Sequence, residues 1–349
     1  MGLSEQGELD ELQKLLTGGN SNRRTPPTHA EIVAMPVHAA VRTLEQFGEI
    51  PRIVEAVCDR WRGLSYGPGR RQSAADAGAL SALVKVMQIH SELPSVQGVC
   101  CLSIGNIVAG MDEAGVVRKQ LAADAGALEA VANAMQVHAE DSTVIEYGCF
   151  AMGNICFAAD AAGLARKQRA ADACAISAIL GGMRAHSGEG SVQEYGCFAL
   201  GNICRAVGGK DGGTDDEGKQ RKEAAVDAGA LSTIVNAMRF YAKEDGVQQW
   251  GSRALSNITY GNPAWRDEAR KAGARPQWLV GVADGLDAIE AGDKLDSSKT
   301  ERVAIRAPQQ RVSATTRSPM KRAPKLAPKI PTQGAGKMIK LPDAGPLWR

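Results

Sequence analysis

Aromatic residues are scarce in this chain: five Trp, five Tyr and five Phe make up only 4% of its 349 residues. Long apolar runs are missing too, since no stretch has the roughly 18 consecutive apolar residues that a membrane-spanning helix needs. The N-terminus lacks a basic segment followed by an apolar core, which a secretory signal requires. We therefore predict no transmembrane segment, no membrane partner and no secretory signal, and a core built largely from small side chains.

The usual motifs of catalysis and metal binding are also absent. The sequence has no phosphate-binding glycine loop, no HExxH pair, no Ser-His-Asp arrangement and no CxxC among its eight cysteines. We therefore expect no enzymatic activity, no cofactor and no metal site. Cysteines set in apolar helical patterns without CxxC pairs are typical of reduced thiols, which predicts a cytoplasmic or nuclear protein.

Charge is distributed unevenly along the chain. The segment from Arg302 onward holds eleven of the 41 Lys and Arg residues but only one of the 39 acids, Asp343, a net charge of +10. The preceding 301 residues carry a net charge of −8. A segment rich in Pro, Ser, Lys and Arg cannot bury a core. We therefore predict a disordered basic tail over residues 291–349 behind an acidic folded body.

Internal repetition is what the sequence has in abundance. The stretch EYGCFAMGNIC, which begins at Glu146, returns as EYGCFALGNIC at Glu194. Three landmarks recur at spacings of 48, 48 and 55: an AADAGAL-like segment, a methionine and an asparagine. The segments begin at Ala74, Ala122, Ala170 and Ala225, the methionines are Met87, Met135, Met183 and Met238, and the asparagines are Asn106, Asn154, Asn202 and Asn257. This periodicity predicts stacked helical repeats, because one unit alone cannot bury a core.

Each repeat has the pattern of three helices. In the second repeat, the first helix ends at Gly126, a residue type that adopts a left-handed conformation without strain. A second helix runs from Ala127 to about His138, and a third from about Thr143 to Cys156. Cys174 replaces the corresponding glycine one repeat later, at a cost of about 1 kcal/mol if it is left-handed. We predict an N-terminal extension over residues 1–28 and a repeat domain over 29–290, with four clear repeats at about 70–262 between degenerate ends.

The pattern GALxxLVxxM…VQxxGCxALxNI resembles the armadillo repeat, here in a divergent array with a long period. The resemblance implies an all-α, right-handed α-solenoid that acts as a non-catalytic scaffold. It also implies a concave groove lined by third helices, where an asparagine ladder binds extended peptides.

The third helix has a polar and aromatic flank beside its core stripe. At 100° per residue, Asn154 lies about 100° from Ile155, the centre of the stripe, with Tyr147 and Phe150 close to it. Stacked repeats would align such residues into a ladder whose amides bond to a peptide backbone and whose aromatics form slots. The predicted groove residues are Asn106, Tyr147, Phe150, Asn154, Tyr195, Phe198, Asn202, Trp250, Arg253 and Asn257, bordered by Glu146 and Glu194, which favour a basic ligand.

An alternative reading of the same flank is structural: the asparagines cap neighbouring backbone and the aromatics pack between repeats. Nuclear-import members of the armadillo family alternate Trp with Asn. That Trp position holds Leu102, Phe150, Phe198 and Arg253 in this chain. A nuclear-import-type adaptor is therefore only an alternative function.

Other recurring polar residues have simpler interpretations. His90, His138 and His186 end successive second helices, and a separation of about 10 Å between repeats is too great for one metal ion, so we predict a structural role. The basic pairs that begin at Arg118, Arg166 and Arg221 suggest solvated helix faces, with phosphate contact as the alternative.

The leading functional prediction is a monomeric scaffold that binds extended segments of partner proteins. In the main alternative, the basic tail binds nucleic acid or microtubules and the repeats act as a spacer. Within the tail, Ser318 is a candidate phosphosite because Pro319 and Lys321 follow it.

Overall fold

A computed structural model describes residues 25–62, 68–157, 161–205 and 216–279. All of them belong to the first of two compact units, Met1–Gln309. The first 24 residues of the predicted N-terminal extension, residues 206–215 and the whole basic tail with Ser318 lie outside the described residues. The predictions made for those segments stay predictions.

Sixteen α-helices and no strand make up the secondary structure of the described ranges, apart from a 3-10 turn at Pro276–Trp278. In chain order the helices are α1 His29–Ala34, α2 Val37–Phe47, α3 Pro51–Arg62, α4 Pro68–Asp76, α5 Ala79–Ile89, α6 Pro94–Val108, α7 Glu113–Asp124, α8 Ala127–Val137, α9 Ser142–Ile155, α10 Ala161–Asp172, α11 Ala175–Ala185, α12 Gly190–Ile203, α13 Asp216–Asp227, α14 Ala230–Phe240, α15 Asp245–Thr259 and α16 Pro263–Lys271. Each helix packs against its neighbours, which is consistent with an α-solenoid. None of these helices is long and apolar enough to cross a membrane.

The predicted three-helix units are confirmed as α4–α6, α7–α9, α10–α12 and α13–α15. Helix α8 ends one residue before His138, and α9 begins at Ser142, where the Asp141 side chain accepts hydrogen bonds from the first-turn amides. Gly126 has a φ of 85°, as its place between α7 and α8 requires. Cys174 adopts the same left-handed conformation with a φ of 61°, the only non-glycine residue of the described ranges to do so.

The third helices of successive repeats, α6, α9, α12 and α15, pack directly on one another. Glycines make this approach possible. A Cβ on Gly105 would lie 2.5 Å from the Phe150 ring, and a Cβ on Gly153 would collide with the Phe198 ring in the same way. Each aromatic therefore fills a slot that a glycine of the preceding repeat leaves open.

The repeated basic pairs lie inside the array, and the expectation of solvated faces is wrong. Arg118, Lys119, Arg166, Lys167 and Arg221 each expose at most 1% of their surface. The Arg118 guanidinium donates to the carbonyl oxygens of Ile107 and Ala109, at the end of the preceding third helix. Those carbonyls have no partner within their own helix, and so they supply acceptors that replace water around the buried cation.

Candidate functional site

The aromatic and asparagine flank of the third helices is buried between repeats. The expectation that it lies outside the main core is therefore wrong, because each flank faces the third helix of a neighbouring repeat. Eight of the predicted groove residues expose 8% of their surface or less: Asn106, Tyr147, Phe150, Asn154, Tyr195, Phe198, Asn202 and Trp250. Their contribution to ligand binding stays a prediction. A ligand would have to contact side chains that already pack in the seam, which is the contact between the third helices of successive repeats.

Aromatic pairs join successive repeats along this seam. The rings of Phe150 and Tyr195 lie 5.4 Å apart at an interplanar angle of 74°. The rings of Phe198 and Trp250 lie 4.6 Å apart at 65°. Such edge-to-face pairs contribute roughly 0.5–1.5 kcal/mol beyond the burial of their area.

The asparagines that follow these aromatics bond to backbone rather than to each other. Asn202 Nδ2 donates to the Gly153 carbonyl at 3.1 Å, and Asn257 Nδ2 donates to the Gly201 carbonyl at 2.8 Å, each in the preceding repeat. Asn154 instead donates to the Phe150 carbonyl of its own helix. In Asn106 both amide atoms are buried without a hydrogen-bond partner. The four equivalent asparagines thus have three different bonding patterns.

The remaining predicted groove residues, Glu146, Glu194, Arg253 and Asn257, are half-buried and keep contact with solvent. The Glu146 carboxylate accepts a hydrogen bond of 2.7 Å from Ser191 Oγ in the next repeat. Burial raises the pKa of Glu146, and the neighbouring carboxylates of Glu189 and Glu194 raise it further, whereas the Ser191 bond lowers it. A carboxylate held among other carboxylates favours a cation. The rim formed by Glu146 and Glu194 can therefore accept a Lys or Arg side chain.

Arg253 lies on α15, the third helix of the fourth repeat. Its guanidinium carbon is 5.4 Å from the centre of the Trp250 ring and 5.9 Å from that of the Phe157 ring. Burial lowers the pKa of Arg253 to about 10, and the positive charge of Arg205 contributes to this. The sequence reasoning missed Phe157 and Arg205. They hold the same repeat position after successive third helices, which an alignment of the repeats could have shown.

The three histidines, for which a structural role was predicted, each contact a backbone carbonyl outside their own repeat. Their Nε2 atoms lie 2.7 Å from the Gly48 carbonyl oxygen for His90, 2.6 Å from that of Ser91 for His138, and 2.8 Å from that of Ala139 for His186. Each carbonyl belongs to the preceding repeat or its equivalent. Among the described residues, no group of three or more His, Cys, Asp or Glu is arranged to hold a metal ion.

Comparison of the chain with protein-family models finds no match, and comparison with curated proteins finds none either. The fold and the stacked third helices define the described part of the chain as an all-α structure of helical-repeat type. The armadillo resemblance stays a prediction from the sequence.

Proposed function

We propose that this protein is a non-catalytic scaffold of the armadillo type, a right-handed solenoid that binds extended segments of partner proteins along its third helices. One observation carries the proposal: α6, α9, α12 and α15 pack on one another in chain order, so their equivalent positions recur at each repeat. In this proposal the protein acts as a monomer in the cytoplasm or nucleus.

Repetition of this kind suits an extended ligand. Packed helices lie roughly 8–10 Å apart, and three residues of an extended peptide span about 10 Å. Equivalent side chains on successive repeats would therefore meet every third ligand residue. A compact ligand would gain nothing from such a spacing.

The half-buried rim is the part of the predicted groove best suited to direct contact. Glu146 and Glu194 occupy the same position in consecutive repeats. Together they favour basic side chains about one repeat apart in the ligand. The buried asparagines and aromatics would then set the spacing of the rim.

The test uses the full-length chain and pools of fluorescein-labelled, amidated random peptides that differ at one fixed position, Lys or norleucine. We expect the wild type to bind the Lys pool more tightly than the norleucine pool. In the double variant Glu146→Gln/Glu194→Gln the ratio of these two affinities should fall about tenfold, because charge-assisted contacts are removed. Glu45→Gln is the matched control, because Glu45 is exposed on α2.

Two outcomes would reject this proposal. One is the absence of binding between any pool and the wild type. The other is an unchanged preference for Lys in the double variant, which would mean that the rim does not contact the ligand.

The charge of the tail favours a second candidate function, the binding of nucleic acid or microtubules by residues 291–349. Such binding would fall steeply with added salt, because it depends on the release of counterions. Replacing the tail's Lys and Arg residues with Gln in the full chain would abolish it. Binding to the third helices would survive that change.

A further inference from the structure

Arg253 interrupts the series of apolar residues on the third helices. The equivalent positions in the three preceding repeats hold Leu102, Phe150 and Phe198. Phe150 and Phe198 insert between repeats against a glycine, whereas the fourth repeat places a guanidinium at this position. The substitution brings a permanent charge to the end of an apolar seam.

The Arg253 side chain is held between two aromatic rings. Trp250 precedes it on the same helix, and Phe157 follows α9, two repeats earlier. Both rings lie within the roughly 6 Å at which a cation is attracted to an aromatic ring.

This cation has no anionic partner in the part of the chain that the structure describes. Its Nη2 atom is buried and makes no hydrogen bond, and no carboxylate pairs with the side chain. Arg205 adds a second positive charge nearby and helps to lower the pKa of Arg253. Arg118 differs sharply, since its three guanidinium nitrogens donate to three separate acceptors.

A half-buried cation that has no anionic partner is unfavourable until an anion joins it. A carboxylate of the ligand can accept a charge-assisted hydrogen bond from the part of the guanidinium that keeps contact with solvent. Phe157, which is half-buried, also supplies apolar surface for the chain that carries the carboxylate. The site therefore has a positive charge and an apolar surface that suit a carboxylate-bearing ligand.

We propose that Arg253, which lies beside Phe157 and Trp250, binds a carboxylate of the peptide ligand. The inference rests on the proposed function and adds a second recognition element to it. Glu146 and Glu194 select basic residues on one rim, and Arg253 selects an acidic group at the C-terminal end of the array.

The test again uses the full-length chain and labelled random peptide pools. One set is amidated and fixes a central Asp, Glu, Asn or Gln. Another set lacks acidic residues but ends in a free carboxylate. We expect the wild type to bind one of the carboxylate-bearing sets at least about tenfold more tightly than its neutral counterpart, as a charge-assisted pair predicts. The set that binds identifies the source of the carboxylate.

Variants at the site locate this preference. We expect Arg253→Gln to abolish the selection of carboxylates and Arg253→Lys to restore it only in part, since an ammonium keeps the charge but not the planar guanidinium that lies near the two rings. Selection of Lys by the Glu146 rim should persist in both variants. Arg70→Gln is the control, because Arg70 is exposed on α4. Equal preference for carboxylates in the wild type and Arg253→Gln would overturn the inference.

A measurement without peptide pools separates this inference from the proposed function. Titration with acetyl-aspartate amide should shift the NMR signal of the Trp250 indole N–H in the wild type but not in Arg253→Gln, and acetyl-asparagine amide should shift neither. An unmoved Trp250 signal in the wild type would mean that Arg253 serves only the structure.

Discussion

Equivalent residues in successive repeats do not make equivalent bonds, and the asparagine series shows the consequence. Asn202 satisfies the Gly153 carbonyl, which belongs to the last turn of α9 and has no partner within that helix. Asn106 stands at the first clear repeat, and its amide has no partner at all. The same side chain should therefore stabilise one repeat and destabilise another.

Alanine substitution of these two asparagines tests that difference. Asn202→Ala should lower the free energy of unfolding by about 1–2 kcal/mol, because it leaves a buried carbonyl unsatisfied. Asn106→Ala should lower it by less than about 0.5 kcal/mol, since burying an amide without partners is already unfavourable. Urea unfolding followed by circular dichroism measures both. Equal losses for the two variants would show that hydrogen bonding does not distinguish the sites.

At the scale of the element, buried arginines connect each first helix to the repeat before it. Besides its two backbone acceptors, Arg118 on α7 donates from Nη1 to Gln72 Oε1 on α4 at 3.0 Å, and Gln72 donates in turn to Asp76. The same chain of bonds recurs from Arg166 to Gln120 and from Arg221 to Gln168. The acceptors at the ends of third helices carry the negative end of the helix dipole, which favours a cation.

Removal of one such arginine should weaken the junction between two repeats. We expect Arg118→Met to lower the free energy of unfolding by about 3 kcal/mol, because several buried acceptors lose their donor at once. Arg70→Met is the control, since Arg70 holds the same repeat position on α4 but is exposed, and its effect should stay within about 0.5 kcal/mol. The loss for Arg118→Met should persist in high salt, because bonds buried in this way are poorly screened.

The sequence predicted the helices far better than it predicted what their side chains meet. Gly126 and His138 mark helix ends through local chemistry, and both appear where that chemistry places them. The burial of Arg118 depends on carbonyl groups of another repeat, so charge alone wrongly suggested a solvated face. Phe150 was misplaced for a similar reason: the angle on an isolated helix locates the core stripe but not the neighbouring third helices. Gly105 carried the missing signal, since a glycine at the seam indicates that a bulky group approaches it.

At the scale of the whole molecule, the reactivity of the cysteine thiols depends on how the array of repeats opens. Seven of the eight are buried, and only Cys174 is exposed. Burial raises the pKa of Cys101, Cys156, Cys197 and Cys204 to about 12 each, so almost none of these thiols is ionised near neutral pH. Because the thiolate is the reactive form, a buried cysteine should react only when its repeat opens.

Thiol labelling under native conditions should therefore proceed in a defined order along the chain. Cys174 should react first, and Cys174→Ser should remove that fast phase without changing the others. Of the buried thiols, Cys58 should follow, because α3 lies near one end of the repeats, and Cys149 should react last, because it is enclosed by repeats on both sides. Repeat arrays open from their ends, where each unit has only one neighbour to stabilise it. Mass spectrometry of peptides from timed labelling measures each rate, and a single common rate for all seven buried thiols would instead indicate that the array opens as one cooperative unit.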